Sequence, residues 1–326
     1  MKLPRRTFLH LAAGAAVVPV VSRIVKAQTY PTKPVHVVVG FAAGGPTDVA
    51  ARVIAQWLSE RLGQPFVIEN RPGAGSNLAT EAVVRAPADG YTLLLGGLPN
   101  AINATLYHNL NFNFIRDVTA VASVSRGPLV FVVHPSVPAS TVPELIAYAK
   151  ARPGQLSYGS GGIGAPSHLA GELLKTMTGI NMVHVPYRGG GPGVAALLGG
   201  QVQVYFASTV TSLEHVRAGK LRALAVTTMS RLEALPDVPT VADFVPGFEV
   251  SGWQGLVAPK SSPTEIIDTL NKEINAGLAD PKIKARLADL GSMALAGSPA
   301  DFGKLIADET ERWGKVIRAA NIKPQG

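Results

Sequence analysis

VVVGFAAGGPTDVAARVIAQWL, residues 37–58, joins three architectural signals in one stretch. Val35 to Val39 is short, β-branched and apolar almost throughout, as strands covered on both faces tend to be. Val49, Val53, Trp57 and Leu62 then recur at helical spacing, with Gly63 as the stop. Between them lies the glycine loop Gly40 to Thr47, which lets backbone approach a ligand closely. A phosphate is the first candidate occupant, and the loop argues against it. A phosphate-binding loop carries Gly-Lys-Ser/Thr after its glycines, so that the lysine neutralises the β and γ charges. Here Pro46-Thr47-Asp48 stands in that place, and the Asp48 carboxylate would repel a triphosphate.

The pattern continues outward from this stretch. Phe66 to Ile68 reads as a second strand, Leu78 to Arg85 as a second helix and Tyr91 to Leu95 as a third strand. This completes β-loop-α-β-loop-α-β and implies a parallel sheet with right-handed crossovers. A second series repeats the architecture without a sequence repeat. Strands are expected at Leu129 to Val133, Leu156 to Tyr158, Val183 to Val185, Val202 to Phe206 and Leu221 to Val226. Helices are expected at Pro143 to Ala151, His168 to Met177 and Val194 to Leu198. From Pro259 the chain is mainly helical, with Glu265 to Leu278, Ile283 to Leu290 and Asp301 to Ala320 closing over the first domain. That closure requires two crossings between domains, near residues 130 and 250.

Charge points away from polyanions. The 326 residues hold 30 Lys and Arg against 22 Asp and Glu, a formal +8. Lys2, Arg5, Arg6, Arg23 and Lys26 all precede residue 28 in a segment without acids, and removing these five leaves 25 against 22, or +3. With 6% aromatics and no later basic run, nucleic acid is not an expected partner. The basic start, the apolar run Leu9 to Val21 and the small residue Ala27 define a signal peptide over 1–27, cleaved after Ala27. The run is interrupted by His10 and Pro19 and is shorter than the ~20 residues of a membrane span. Arg5-Arg6-Thr7-Phe8-Leu9 resembles a twin-arginine signal, and the general secretory route fits as well. The chain has no cysteine, hence no disulfide, thiol nucleophile or thiolate metal site. Export without disulfides fits a bacterial periplasm.

In an open α/β sheet ligands sit beyond the carboxyl ends of the strands, where helix N-termini present unpaired N–H groups. Four glycine loops occupy such places: Gly40 to Thr47, Pro72 to Asn77, Gly159 to Ser167 and Gly189 to Gly193. Gly159-x-Gly161-x-x-Gly164 matches a dinucleotide fingerprint, yet the next strand ends in Arg188 rather than in an acid for a ribose. What remains suits a small anion held by N–H donors and the hydroxyls of Thr47, Ser76, Ser160 and Ser167. Asp48 reads as a scaffold residue of its own helix and loop, or as one that orders the site. His168 opens a helix, where burial and the dipole both disfavour its charged form; it is structural or a ligand contact. Arg188 pairs with a carboxylate or sits at the domain edge. Ser167 and His168 are adjacent on a helix and point about 100° apart, so they are no nucleophile–base pair. There is no Gly-x-Ser-x-Gly elbow, and the seven histidines show no metal-ligand spacing.

Eight ordered motifs carry a resemblance: YPTKPVHVVVGFAAGGPTDVAARV, IENRPGAGSN, ADGYTLLLG, ARPGQLSYGSGGIGAPSHLAGEL, VHVPYRGGGPGVAALLGGQVQVYFAS, AGKLRALAVTT, ALPDVPTVAD and RWGKVIRAANIK. Together they resemble the Bug family, the TctC-like extracytoplasmic solute receptors of tripartite tricarboxylate transporters. The resemblance implies the α/β periplasmic binding protein type II fold, with two doubly wound α/β domains joined by two crossover segments. The expected division is 28–130 plus 251–326 for domain 1 and 131–250 for domain 2. It further implies one carboxylated ligand, dicarboxylate-like or aromatic, closed between them. The loop carrying Phe41, Gly44, Gly45 and Asp48, with the Ser76-Asn77 turn, is expected to meet the Ser160 to His168 loop across the ligand. Ala42, Thr47, Asn100, Gly162, Ile163, Ser167, Arg188 and Ser208 are the further cleft candidates. The family often has Asp where this chain has Ala196 and Ala207, which would remove partners for a ligand ammonium group.

The expected function is therefore a periplasmic receptor without catalytic residues, metal or cofactor. It would act as a monomer that closes on its ligand by population shift and delivers it to the membrane components of the transporter. Two other classes stand beside it: an exported hydrolase using Ser160 or Ser167, and a ligand sensor for a signalling partner.

Overall fold

The computed structural model describes residues 30–44, 46–107, 109–187 and 189–323. The segment 1–27 and the site candidates Gly45 and Arg188 lie outside the described residues. Strand β1 (Val35–Val39), helix α1 (Pro46–Leu62), β2 (Phe66–Asn70), α2 (Asn77–Val84) and β3 (Thr92–Gly97) form the first unit. Then come α3 (Leu98–Leu106), α4 (Phe114–Asp117) and the 16-residue strand β4 (Val118–Val133). The second unit comprises α5 (Val142–Ala151), β5 (Ser157–Ser160), α6 (Pro166–Thr178), β6 (Val183–Pro186), α7 (Gly190–Leu198), β7 (Val204–Ser208), α8 (Thr209–Arg217) and β8 (Arg222–Val226). The chain returns on β9 (Ser251–Pro259) and closes with α9 (Thr264–Ala279), α10 (Pro281–Asp289), β10 (Met293–Ala294) and α11 (Pro299–Ala319).

The two halves share one topology. β1 runs parallel between β2 and β3, and β5 runs parallel between β6 and β7. Each triplet is extended by an antiparallel strand arriving from the other half. β9 lies between β3 and β4, while the second part of β4 lies between β7 and β8. β4 makes its last pair with β9 at Pro128–Ser251 and its first with β7 at Leu129–Ser208, so it changes partner within one residue. This is the expected type II arrangement of two doubly wound α/β domains joined by two crossover segments.

Both faces of the first sheet are covered, which is why Val35 to Val39 is apolar nearly throughout. Val37, Val39, Leu93 and Leu95 pack with Ile54 and Leu58 of α1 and Ile267, Leu270 and Ile274 of α9. Val38 and Leu94 face the other side, in a cluster with Phe302, Ile306 and Trp313 of α11. The terminal helices thus close over the first domain, as their apolar spacing predicts. Gly255 admits α11 to the sheet, since a Cβ there would lie 2.2 Å from the Phe302 ring.

Four elements around the site differ from expectation. The strand expected at Leu129 to Val133 is only the end of β4: Val118, Val121 and Val124 recur every third residue rather than every second, where two irregularities interrupt the pairing with β9, and Gly127-Pro128 reads as a stop. β9 carries no strand signal in the sequence, because Gly252 and Gly255 interrupt its first half. α3, where Asn100 and Asn103 read as loop residues, and α8, for which the sequence carries no helical signal, are both helices. Leu98-Pro99-Asn100 and Thr209-Val210-Thr211 read as turn and strand residues, and burial against the sheets overrides that preference.

Candidate functional site

A cavity of about 420 Å³ opens between the two domains at the carboxyl ends of β1, β3, β5 and β7. Phe41 and Thr47, Gly75, Gly97 to Pro99 and Asn103 form its wall on one side. Gly161, Ile163 to Ser167, Gly189, Gly190, Tyr205, Phe206 and Ser208 form the opposite side. Pro128, Leu129 and Gly252 to Gln254 of the crossing strands make the base, joined by Leu290 to Ser292. Among the described residues none of these wall positions is charged.

Five helices begin at this cavity: α1 with Thr47, α3 with Leu98, α6 with Pro166, α7 with Gly190, and α8 with its N-cap Ser208. At α6, α7 and α8 the N-cap positions are Ala165, Gly189 and Ser208, and none caps its helix through a side chain. First-turn N–H groups and the positive dipole ends therefore converge on an uncharged space, an arrangement that favours an anion. The glycine run at α7 has a second purpose. A Cβ on Gly193 would lie 2.4 Å from the Tyr205 ring, so only glycine lets that ring pack under the helix start and reach the wall.

Several predicted residues stand behind the wall and shape it. Asp48 is 2% exposed and its carboxylate is fully engaged. It accepts from Gly44 N–H at 2.9 Å, from Arg52 at 2.9 and 3.0 Å, and from Asn70 Nδ2 at 2.9 Å. Burial alone would raise its pKa; the hydrogen bonds from Arg52, Gly44 and Asn70 outweigh that and hold it below the ordinary carboxylate range. Asn70 also donates to the Phe41 carbonyl at 3.0 Å, so the first loop is laced to β2. Asp48→Asn, which turns one acceptor oxygen into a donor facing donors, is expected to cost about 1–3 kcal/mol. Thermal unfolding measures this, and unchanged stability would refute the scaffold role.

The second loop is held in the same way. Asn100 accepts from Gly97 N–H at 2.8 Å and donates to Thr80 at 2.8 Å and to Ser76 at 3.3 Å. Asn103 donates to the Gly75 carbonyl at 2.7 Å and to Asn77 Oδ1 at 2.8 Å. In the third loop Ser167 accepts from Gly161 N–H at 2.9 Å, and Ser160 accepts from Gly162 N–H at 3.1 Å. Of the expected contacts, Phe41, Thr47, Ile163, Ser167 and Ser208 line the cavity. Asp48, Ser76, Asn77, Asn100, Ser160 and His168 are buried supports of the lining loops. Ala42 and Gly44 are exposed in the first loop, and Gly162 lies between lining residues of the third. Ala196 and Ala207 belong to the apolar core of the second domain and are not wall residues, so their bearing on a ligand ammonium group falls away.

Spacing gave no sign of His184, whose Nε2 lies 2.6 Å from Ser160 Oγ. The pair is not a nucleophile and its base: Ser160 is fully buried, and its oxygen is tied to the Gly162 backbone. Burial, with further effects from Lys175 and the neighbouring His168, pushes His184 down to about 3; burial and Lys175 push His168 down to about 4. Both rings are neutral at pH 7. Trp253 and Tyr205 were also unforeseen, since an isolated aromatic is more simply read as core.

This is the geometry of a two-domain binding protein whose cleft receives an anion. Residues 50–322 match the family described as the tripartite tricarboxylate transporter family receptor, TctC. The chain belongs to that family of solute-binding receptors, which are not enzymes. Protein BugT of Bordetella pertussis is 39% identical over 302 residues, 92% of this chain and 93% of BugT. Among solved structures, R. palustris Rpa4515 with adipate is 39% identical with a TM-score of 0.82, covering 91% of this chain and all of that one. MatC from Rhodopseudomonas palustris with bound malate is 33% identical with a TM-score of 0.78, covering 88% of this chain and all of that one.

Proposed function

We propose that this receptor captures one small organic carboxylate in the interdomain cavity and delivers it to the membrane components of a tripartite tricarboxylate transporter. The observation that carries this reading is the convergence of five helix N-termini on a space whose described walls hold no charged side chain. An anion gains N–H donors from both domains there, so it binds the closed form better than the open one. The mature protein acts in the periplasm as a monomer after loss of residues 1–27. No helix among the described residues is long and apolar enough to cross a membrane. Our division into 28–130 plus 251–326 and 131–250 draws support from β4, which passes from β9 to β7 at residues 128 and 129, and from the return of the chain on β9 at Ser251. Lining residues Phe41, Leu98, Leu129, Ile163, Phe206 and Trp253 favour an acid with an apolar body, dicarboxylate or aromatic, over a compact polar one.

Calorimetric titration of ligand-stripped protein with mono-, di- and tricarboxylates and aromatic acids tests this. The expected result is saturable binding of one member at a 1:1 ratio. Mass spectrometry of the molecule released on denaturing freshly purified protein is expected to show the same class. Silence across the panel, with nothing released, would overturn the reading.

A further inference from the structure

Gly161, Ile163, Gly164 and Ala165 of the loop after β5 line the cavity, and two imidazoles stand behind them. His168, in the first turn of α6, and His184, on β6, stack with ring centroids 4.0 Å apart and planes 16° apart. Tyr158 stacks on His184 at 4.9 Å. The Tyr158 hydroxyl donates to Glu172 at 2.6 Å, and Lys175 donates to the same carboxylate oxygen at 2.8 Å. His168 Nδ1 accepts from Gly164 N–H at 3.1 Å, which places the His168 proton on Nε2. His184 Nε2 anchors Ser160 Oγ at 2.6 Å, and that oxygen accepts from Gly162 N–H at 3.1 Å.

The backbone accounting of this loop is nearly complete. Gly161 N–H goes to Ser167 Oγ, Gly162 to Ser160 Oγ, Gly164 to His168 Nδ1 and Ala165 to the Gly162 carbonyl. Among the N–H groups of residues 161–165 that of Ile163 alone has no partner, and Ile163 is a wall residue of the cavity; the Ser167 N–H, also without one, belongs to the first turn of α6. We propose that His168 and His184 are positioning residues that draw the amides of Gly164 and Gly162 back into the domain, so that the Ile163 N–H is the one amide of this loop offered to the ligand's carboxylate. Neither imidazole touches the ligand. Loss of either bond frees a neighbouring amide, and the loop then no longer holds one donor direction. The inference rests on the carboxylate-capture reading for its effect on affinity, but not for its effect on the loop itself.

Paired isosteres test it, because asparagine places an oxygen where histidine has Nδ1, and glutamine places its amide where histidine has Nε2. His168→Asn and His184→Gln keep the bonding atom; His168→Gln and His184→Asn lose it. The readouts are amide hydrogen exchange of residues 161–165 without ligand, thermal unfolding, and titration with adipate and with malate. The first two variants are expected to retain wild-type exchange protection at Gly162 and Gly164 and to bind within about threefold of wild type. The other two are expected to lose protection at those amides and to bind roughly tenfold more weakly, while melting close to their paired variant. The proposal is overturned if both members of each pair behave alike, since simple packing would then explain the histidines. If the wild-type protein binds neither acid, the capture reading loses support, and the exchange pattern still decides for or against the positioning role.

Discussion

Replacing Gly40 with alanine is expected to destabilise the protein by about 3 kcal/mol and to remove most ligand binding. A Cβ at this position would lie 1.9 Å from Ser76 Oγ, 2.4 Å from Ser76 Cβ and 2.7 Å from Ser76 Cα. Backbone itself would have to yield. The turn it meets has little room to move, because Gly73, Ala74, Gly75 and Ser76 all hold positive φ, at 139°, 46°, 62° and 79°. Two of these are not glycine, so the turn stores strain of the order of 1 kcal/mol or more at each. Asn100 and Asn103 hold it in that shape from α3. Displacing Ser76 displaces Gly75, a wall residue, so stability and affinity fall together. Urea unfolding and ligand titration of Gly40→Ala measure both. Adding Ser76→Gly removes the two closest atoms and is expected to restore part of each; a double variant no better than the single one would refute the clash.

Acid is expected to produce the second large effect. His168 has a pKa lowered from 6.5 to about 4, chiefly by burial and secondarily by Lys175. Below pH 6.5 the unfolded chain takes up a proton that the folded protein refuses until about pH 4, so stability rises with pH across that window and falls as pH drops through it. At about 1.4 kcal/mol for each pH unit, the loss from His168 reaches roughly 2–3 kcal/mol by about pH 4.5. His184 acts in the same direction, since its pKa is also lowered, to about 3, by burial and by His168. Protonated His168 would also turn an N–H toward the Gly164 N–H, so ligand affinity is expected to fall with stability. Urea unfolding of wild type and His168→Asn at about pH 7 and about pH 4.5 separates this histidine from the carboxylates. Equal losses in the two proteins would contradict it.

The fold was legible where side chains advertise it. Val35 to Val39, the apolar spacing of α1 and the face Phe302, Ile306 and Trp313 each point to one environment. β4 and β9 were hidden because irregular pairing in β4 breaks the two-residue alternation, and Gly127-Pro128 in β4 and Gly252 and Gly255 in β9 read as turns. The loops were legible as loops, through their glycines. Which atoms face the ligand was not, because direction within a loop depends on partners far along the chain. Asp48 is turned by Asn70, Ser76 by Asn100 and Ser160 by His184, at separations of 22, 24 and 24 residues. Of the hydroxyls that look available in the sequence, Ser160 and Ser167 accept from neighbouring backbone, while Ser76 and Thr47 accept from the side chains of Asn100 and Gln254. The donors left at the cavity are peptide N–H groups, which no motif marks, together with the Tyr205 hydroxyl and Trp253 Nε1, two buried wall groups without a hydrogen-bond partner.

Strand β9 occupies the middle of the first sheet, between β3 and β4, although more than 110 residues separate it from the nearer of them in the chain. During synthesis the second domain, lying between β4 and β9, is complete before this strand appears. Without β9, β3 and β4 would each present an unpaired edge, open to pairing with other chains. The half that β9 enters is therefore the one whose sheet cannot close until the return strand is in place.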